Sequence, residues 1–125
     1  MFDFFKPKIL LDTHILIWYM GLGKKLPKEF ETKINNSSCY VSEVSFWEIA
    51  IKVRIKKLNI NEDIKSFILK QPFHVLPVKT EYLQMLQNFI CQPKHNDPFD
   101  HLILMTAFVE QIPLMSFDIE MNKYF

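Results

Sequence analysis

The sequence predicts an α/β domain with a mostly parallel central sheet of about four to five strands, flanked by helices. Short apolar segments typical of buried strands alternate along the chain with segments whose apolar residues recur at helical spacing. This alternation favours parallel strands joined by helices. The chain has 125 residues, 49% of them hydrophobic, which is enough for one domain over residues 1–125.

The individual elements follow from apolar periodicity and from residues that break it. Strands are predicted at residues 9–11, 39–41, 73–78 and 112–115, and Pro77 makes the third an irregular or edge strand. Helices are predicted at residues 14–20, 27–34, 61–69, 80–89 and 98–109, and a strong one opens at residues 42–45 and ends in a basic run. Residues 92–96 are predicted to be a loop.

Composition excludes several classes of protein. The net charge of +1 gives no global signal for nucleic acid, so any such surface must be a local patch. The only cysteines, Cys39 and Cys91, form no Cys-x-x-Cys pair, which argues against a disulfide scaffold or a thiolate zinc site and favours the reducing cytoplasm. The apolar stretch 9–20 contains Asp12 and His14 and is too short for a transmembrane helix, so no membrane association is expected.

The segment 94–105 contains the clearest helix start. Asp97 is predicted to be the N-cap, because Asp is favoured there and Pro98 suits the first helical position. Asp100 then lies at the third helical position, where a carboxylate suits the positive end of the helix dipole. Capping explains Asp97 well, whereas Asp100 is also a candidate for a functional site.

Four acids are predicted to meet at one edge of the sheet. Asp12 and Asp118 follow the ends of strands, Glu48 lies early in the helix after the second strand, and Asp100 lies in the first turn of the helix before the last strand. Ligands bind at the carboxyl ends of strands in such sheets. A cluster of carboxylates needs a neutralising cation, and oxygen ligands suit Mg²⁺ or Mn²⁺.

Each of these acids also has an ordinary structural interpretation. Asp12 could cap the next helix, Glu48 could pair with Lys52 four residues on, and Asp118 could begin a turn. Four independent coincidences at one sheet edge are the weaker explanation. The basic run is likewise open to two interpretations, a helix end suited to the dipole or an RNA-binding patch, and its cations are Lys52, Arg54, Lys56 and Lys57.

Four sequence blocks resemble those of PIN-domain proteins, and most of all the VapC-like toxins of type II toxin–antitoxin systems. The blocks are LLDTH at 10–14, SEVSFWEIAIK at 42–52, HNDPFD at 95–100 and SFD at 116–118. The resemblance implies a three-layer fold and a metal-dependent endoribonuclease. In it Asp12, Glu48, Asp100 and Asp118 are the catalytic residues that hold Mg²⁺ or Mn²⁺. Candidates for supporting positions beside that site are Thr13, Ser42, Asp97 and Ser116.

The sequence departs from the pattern of these proteins at three places. His101 stands where relatives usually have Arg, and Ser116 replaces the usual Thr before Asp118 but keeps the hydroxyl. The chain ends at Phe125, where relatives often continue into one more strand, so the pattern does not define the final sheet edge.

The resemblance also implies partners, namely an RNA substrate, a cognate antitoxin and a second copy of the chain. Large apolar residues near Trp18, Phe46 and Trp47 favour such interfaces. One alternative function is a catalytically inactive PIN-like binding domain, against which the retention of all four acids argues. Another is a phosphoacceptor signalling module, which would need adjacent acids after the first strand and a Lys after the last.

Overall fold

The structure is a computed structural model that describes residues 6–90 and 97–118. Within those residues it contains four strands and six helices. In chain order these are β1 (Lys8–Leu11), α1 (Thr13–Tyr19), α2 (Lys28–Asn35), β2 (Ser38–Ser42), α3 (Glu43–Arg54), α4 (Ile64–Lys70), β3 (His74–Leu76), α5 (Thr80–Gln87), α6 (Pro98–Glu110) and β4 (Leu114–Met115). Every predicted strand and helix overlaps one of these elements. The predicted loop at 92–96 lies outside the described residues.

The four strands form one sheet in the order β3-β2-β1-β4, and every neighbouring pair is parallel. The predicted α/β class with a parallel central sheet is therefore confirmed. Because β1 pairs with both β2 and β4, it is an inner strand, and its carboxyl end lies beside theirs. This places the residues that follow β1 and β4 next to each other.

Helices cover both faces of the sheet, so the domain has three layers. Ile9 and Leu11 of β1 pack into one apolar cluster, which also contains residues of α1, α2, α3 and α4. Leu10, which points to the opposite face, packs into a second cluster with residues of α5 and α6. The burial of successive β1 residues on both sides explains why this strand is a continuous apolar run.

Four helices are capped by polar side chains, and at α4 the cap is Asp63, which accepts the N–H of Ser66 (2.8 Å). Thr13 donates its backbone N–H to Asp12 at the start of α1 (2.6 Å), and Val44 donates to Ser42 at the start of α3 (3.1 Å). Asp97 caps α6, because its Oδ1 accepts the N–H groups of Phe99 (2.8 Å) and Asp100 (3.3 Å), as predicted. Such caps satisfy backbone donors that have no partner inside the helix.

The basic run does not form one continuous helical stripe. α3 ends at Arg54, and Lys56 has a left-handed backbone with φ of 63°. Lys57 N–H donates to the carbonyl of Lys52 (2.8 Å) and Lys56 N–H to that of Val53 (3.1 Å), a Schellman-type helix end. Lys52 therefore lies on the helix, whereas Lys56 and Lys57 belong to the turn that terminates it.

None of the helices in residues 6–90 and 97–118 has the length and apolar character needed to cross a membrane.

Candidate metal centre

The four predicted acids are distributed around the carboxyl edge of the sheet. Asp12 directly follows β1, and Asp118 lies three residues beyond the end of β4, the neighbour of β1. Glu48 lies in the second turn of α3, and Asp100 is the third residue of α6. Asp12 is 3% exposed and Glu48 is 6% exposed, so at least two of these carboxylates are buried.

Asp12 is held by hydrogen bonds to both of its carboxylate oxygens. Its Oδ1 accepts the Thr13 N–H, and its Oδ2 accepts the hydroxyl hydrogen of Ser116 at 2.7 Å. The same Ser116 oxygen accepts the backbone N–H of Asp118 at 2.9 Å. Ser116 thus joins the segments that carry Asp12 and Asp118, and a hydroxyl at this position is what the arrangement requires.

Thr13 and Ser45 link α1 to α3 beneath the site. Their hydroxyl oxygens are 2.8 Å apart and both residues are fully buried. Sequence reasoning included Thr13 but missed Ser45, which lies three residues before Glu48 and therefore on the same helix face. That spacing was the available signal. Ser42, by contrast, makes a capping contact rather than a contact with any of the four acids.

Glu48 has two oxygens in different environments. Oε2 lies 3.1 Å from the ammonium group of Lys52, so the ordinary pairing expected four residues along the helix is present. Among the described residues Oε1 is buried and has no hydrogen-bond partner. A buried carboxylate oxygen without a donor is costly, which makes this atom a candidate ligand for a cation.

The acids interact strongly with one another. Burial, followed by repulsion from Asp12, Asp97, Glu48 and Asp118, raises the pKa of Asp100 to about 8. Burial also raises the pKa of Asp12, and the hydrogen bonds from Ser116 and Thr13 only partly oppose it. The predicted carboxylates are therefore close enough to oppose one another's ionisation.

The arrangement is not a closed ligand set. Within residues 6–90 and 97–118, no three side chains of His, Cys, Asp or Glu are close enough together to hold a metal ion. The chemistry of the donors nonetheless suits Mg²⁺ or Mn²⁺, because all are carboxylate oxygens and one buried oxygen of Glu48 lacks a partner.

Two residues beside the site are placed by aromatic contacts. The ring of His101 packs edge-on against Phe89, with ring centroids 5.3 Å apart. Trp47, next to Glu48, packs edge-on against Phe99 at 5.4 Å and is 61% exposed. Of the large apolar residues expected at an interface, Trp47 therefore lies at the surface, whereas Phe46 is buried in the core.

We expect Asp100 and Asp97 to affect the free energy of unfolding in opposite directions in chelator. Asp100 has a pKa of about 8 in the folded chain and about 4 when unfolded. The folded chain therefore binds more protons between about pH 4 and pH 8, so stability falls as pH rises through this window. Asp100→Asn should remove this loss. At pH 8 it should raise the free energy of unfolding by on the order of 1 kcal/mol, a small value because solvent screens the partly exposed group.

Asp97→Ala is the matched variant, and it should cost about 1 kcal/mol because α6 loses its cap. Urea unfolding at pH 5 and pH 8 measures both effects. A destabilised Asp100→Asn together with an unaffected Asp97→Ala would reverse the two assignments.

Similarity to known proteins shows the fold and the family of the chain. A search of the curated proteins found no match. Among solved structures, the fold is similar to a chain of a toxin–antitoxin complex from Klebsiella pneumoniae, with a TM-score of 0.60 and 15% identity over 88% of this chain and 86% of that one. The PIN domain family model matches residues 9–124, which include all four acids. The chain therefore belongs to the PIN domain family.

Proposed function

We propose that the chain is a Mg²⁺- or Mn²⁺-dependent endoribonuclease that acts in the cytoplasm as the toxin of a type II toxin–antitoxin pair. PIN domains are generally nucleases. The observation that carries the proposal is the buried oxygen of Glu48 that has no hydrogen-bond partner among the described residues, and the strongly raised pKa of Asp100 beside the other acids supports it. Such a cluster is stable in its charged form only beside a cation.

Each carboxylate has a distinct part in this proposal. Asp12, Glu48, Asp100 and Asp118 would hold the ion, whose chemistry when bound is activation of water and stabilisation of charge at phosphorus. Ser116 fixes Asp12 through its hydroxyl hydrogen, so the oxygens of Asp12 keep one orientation. Asp100, protonated over much of the neutral range without metal, would release its proton when a cation binds.

The alternative functions are less well supported by these contacts. A phosphoacceptor module would need adjacent acids after the first strand and a Lys after the last. Here Asp12 is the one acid directly after β1, and Ser116, Phe117 and Asp118 follow β4. A catalytically inactive PIN-like domain would have no need for the buried, unpartnered oxygen of Glu48, whose presence costs stability.

We expect the purified chain to cleave single-stranded RNA only with Mg²⁺ or Mn²⁺. Asp100→Asn and Glu48→Gln should each lower the cleavage rate more than about a hundredfold, because loss of a mere supporting contact in metal sites already costs 10–100-fold. Asp97→Ala should retain most activity, since Asp97 acts on the helix start. Cleavage of a fluorescently labelled RNA measures the rates.

Undiminished cleavage in excess chelator would exclude the metal mechanism. A folded wild-type chain that binds Mn²⁺ and RNA but never cleaves would instead support the inactive binding domain.

We also propose that the basic run contacts RNA phosphates. Arg54, Lys56 and Lys57 are exposed at the end of the helix that carries Glu48. Lys52 belongs to the proposed run as well, but its ammonium group is already paired with Glu48 in this structure. The exposed cations are therefore the better test of the proposal.

Neutralising Lys56 and Lys57 with Gln should make RNA binding less sensitive to salt. Each lost phosphate contact lowers the slope of log affinity against log salt by about 0.7 for single strands. Gln is tolerated in a left-handed backbone, as at Gln111 with φ of 56°. Lys28 and Lys33 of α2, changed to Gln together, are the matched control, and fluorescence anisotropy measures binding. An unchanged slope would mean that the run is only a solvated helix end.

We further propose two protein partners for the chain, an antitoxin and a second copy of itself. One structure of similar fold is a chain of a toxin–antitoxin complex. An apolar groove of about 620 Å³ adjoins Glu48 at Trp47, and its lining is Glu43, Val44, Phe46, Trp47, Ile68, Val75, Val78, Leu83 and Leu102. We propose that this groove receives an apolar helix or strand of the antitoxin, because exposed aromatic residues in apolar grooves anchor such segments.

We expect the isolated chain to sediment as a homodimer at micromolar concentration. Trp47→Ser should leave that dimer intact. It should weaken binding of the antitoxin encoded beside the gene by more than about tenfold, since Trp residues that become buried at an interface are common anchors. Sedimentation velocity and calorimetry measure the two quantities. A purely monomeric chain would contradict the proposed homodimer. Antitoxin affinity that does not change in Trp47→Ser would contradict the proposed binding groove.

A further inference from the structure

A cation of the chain itself already contacts the acidic cluster. The ammonium nitrogen of Lys52 lies 3.1 Å from Glu48 Oε2 and 3.5 Å from His14 Nε2. Lys52 and Glu48 lie on α3, whereas His14 is the second residue of α1, which begins directly after Asp12. The ammonium group therefore bridges α1, which Asp12 caps, and α3, which carries Glu48.

This ion pair differs from an ordinary surface pair. The Glu48 side chain is only 8% exposed and that of Lys52 is 26% exposed. Removing a carboxylate from water is costly unless a positive charge compensates, and a partly buried pair is screened less than a surface one. Lys52 neutralises one oxygen of Glu48, and the other oxygen has no hydrogen-bond partner among the described residues.

We propose that Lys52 is the resident counter-ion of the acidic cluster and that a divalent cation must displace it from Glu48 in order to bind. This inference rests on the proposed metal site. The ammonium group of Lys52 and a divalent ion weaken each other's binding to Glu48, because two cations a few ångströms apart repel each other strongly in a partly buried environment. Lys52 therefore stabilises the metal-free chain and lowers its affinity for the ion.

The proposed counter-ion role and a purely structural role of Lys52 predict opposite changes in metal affinity when Lys52 is replaced. If Lys52 only held α3 in shape, its removal would disorder Glu48 and weaken metal binding. If it is a competing counter-ion, its removal destabilises the metal-free chain but tightens metal binding. The same substitution must then lower the melting temperature in chelator and increase the gain in melting temperature that Mn²⁺ gives.

The experiment is a calorimetric titration of Mn²⁺ into the RNA-free chain, with melting temperatures measured in chelator and in Mn²⁺. Lys52→Met should bind Mn²⁺ about tenfold more tightly than the wild type, as expected for removal of one nearby, partly screened charge. Lys52→Arg, which keeps the charge, should stay close to the wild-type affinity. Lys52→Gln is a second neutral variant, which keeps a donor for Glu48 in case the Met variant does not fold.

Two controls isolate the effect. Lys70→Met breaks another Lys–Glu pair, with Glu62, which is not one of the four acids, and should leave Mn²⁺ affinity unchanged. In a Glu48→Gln background Lys52→Met should no longer tighten binding, because the charge for which the two cations compete is gone.

The outcomes separate the inference from the function on which it rests. Equal or weaker Mn²⁺ binding by both neutral Lys52 variants would overturn the counter-ion role while leaving the metal site intact. Absence of Mn²⁺ binding in every variant, Lys52→Met included, would overturn the metal site itself and the inference with it.

Discussion

The burial of Asp12 at the end of β1 is the constraint on which the rest of the site depends. β1 is an inner strand of a parallel sheet, so the residue after it lies beside the ends of β2 and β4 and at the start of α1. A carboxylate there loses water, and its pKa rises. The chain compensates with two hydrogen bonds, one from the next backbone N–H and one from Ser116. The hydrogen bond from Ser116 fixes the segment after β4, and the same hydroxyl oxygen accepts the backbone N–H of Asp118 and so positions that residue.

Much of the fold was readable from the sequence because each element carries a local signal. The continuous apolar run of β1 predicts burial on both faces, and Asp97 followed by Pro98 predicts the start of α6, which the structure confirms. The positions of the four acids relative to strand and helix ends were readable for the same reason. Burial and then repulsion from the other acids raise the pKa of Asp100, which is consistent with the predicted clustering but does not test their role.

The contacts that the sequence did not reveal are those that depend on distances between elements. Ser45 pairs with Thr13 across 32 positions of the chain, and only the packing of α1 on α3 determines that the two hydroxyls meet. The left-handed backbone at Lys56 was likewise hidden, because a Lys gives no local signal for a conformation that usually favours Gly. Within the basic run, Lys52 pairs with Glu48, whereas the cations from Arg54 onward are exposed.

The site and the stability of the fold are therefore coupled through charge. Without a metal ion, the site contains carboxylates that oppose one another's ionisation, and burial together with this repulsion raises the pKa of Asp100 to about 8. The ammonium group of Lys52 compensates part of the negative charge of Glu48, but Glu48 Oε1 has no hydrogen-bond partner among the described residues. A cation that binds the folded chain and not the unfolded one adds its binding free energy to folding. In the proposed metal site, the ion would also have to release the proton of Asp100 and displace the ammonium group of Lys52, which would use part of its binding free energy. The acids proposed to hold the ion would therefore also determine how much the ion stabilises the domain.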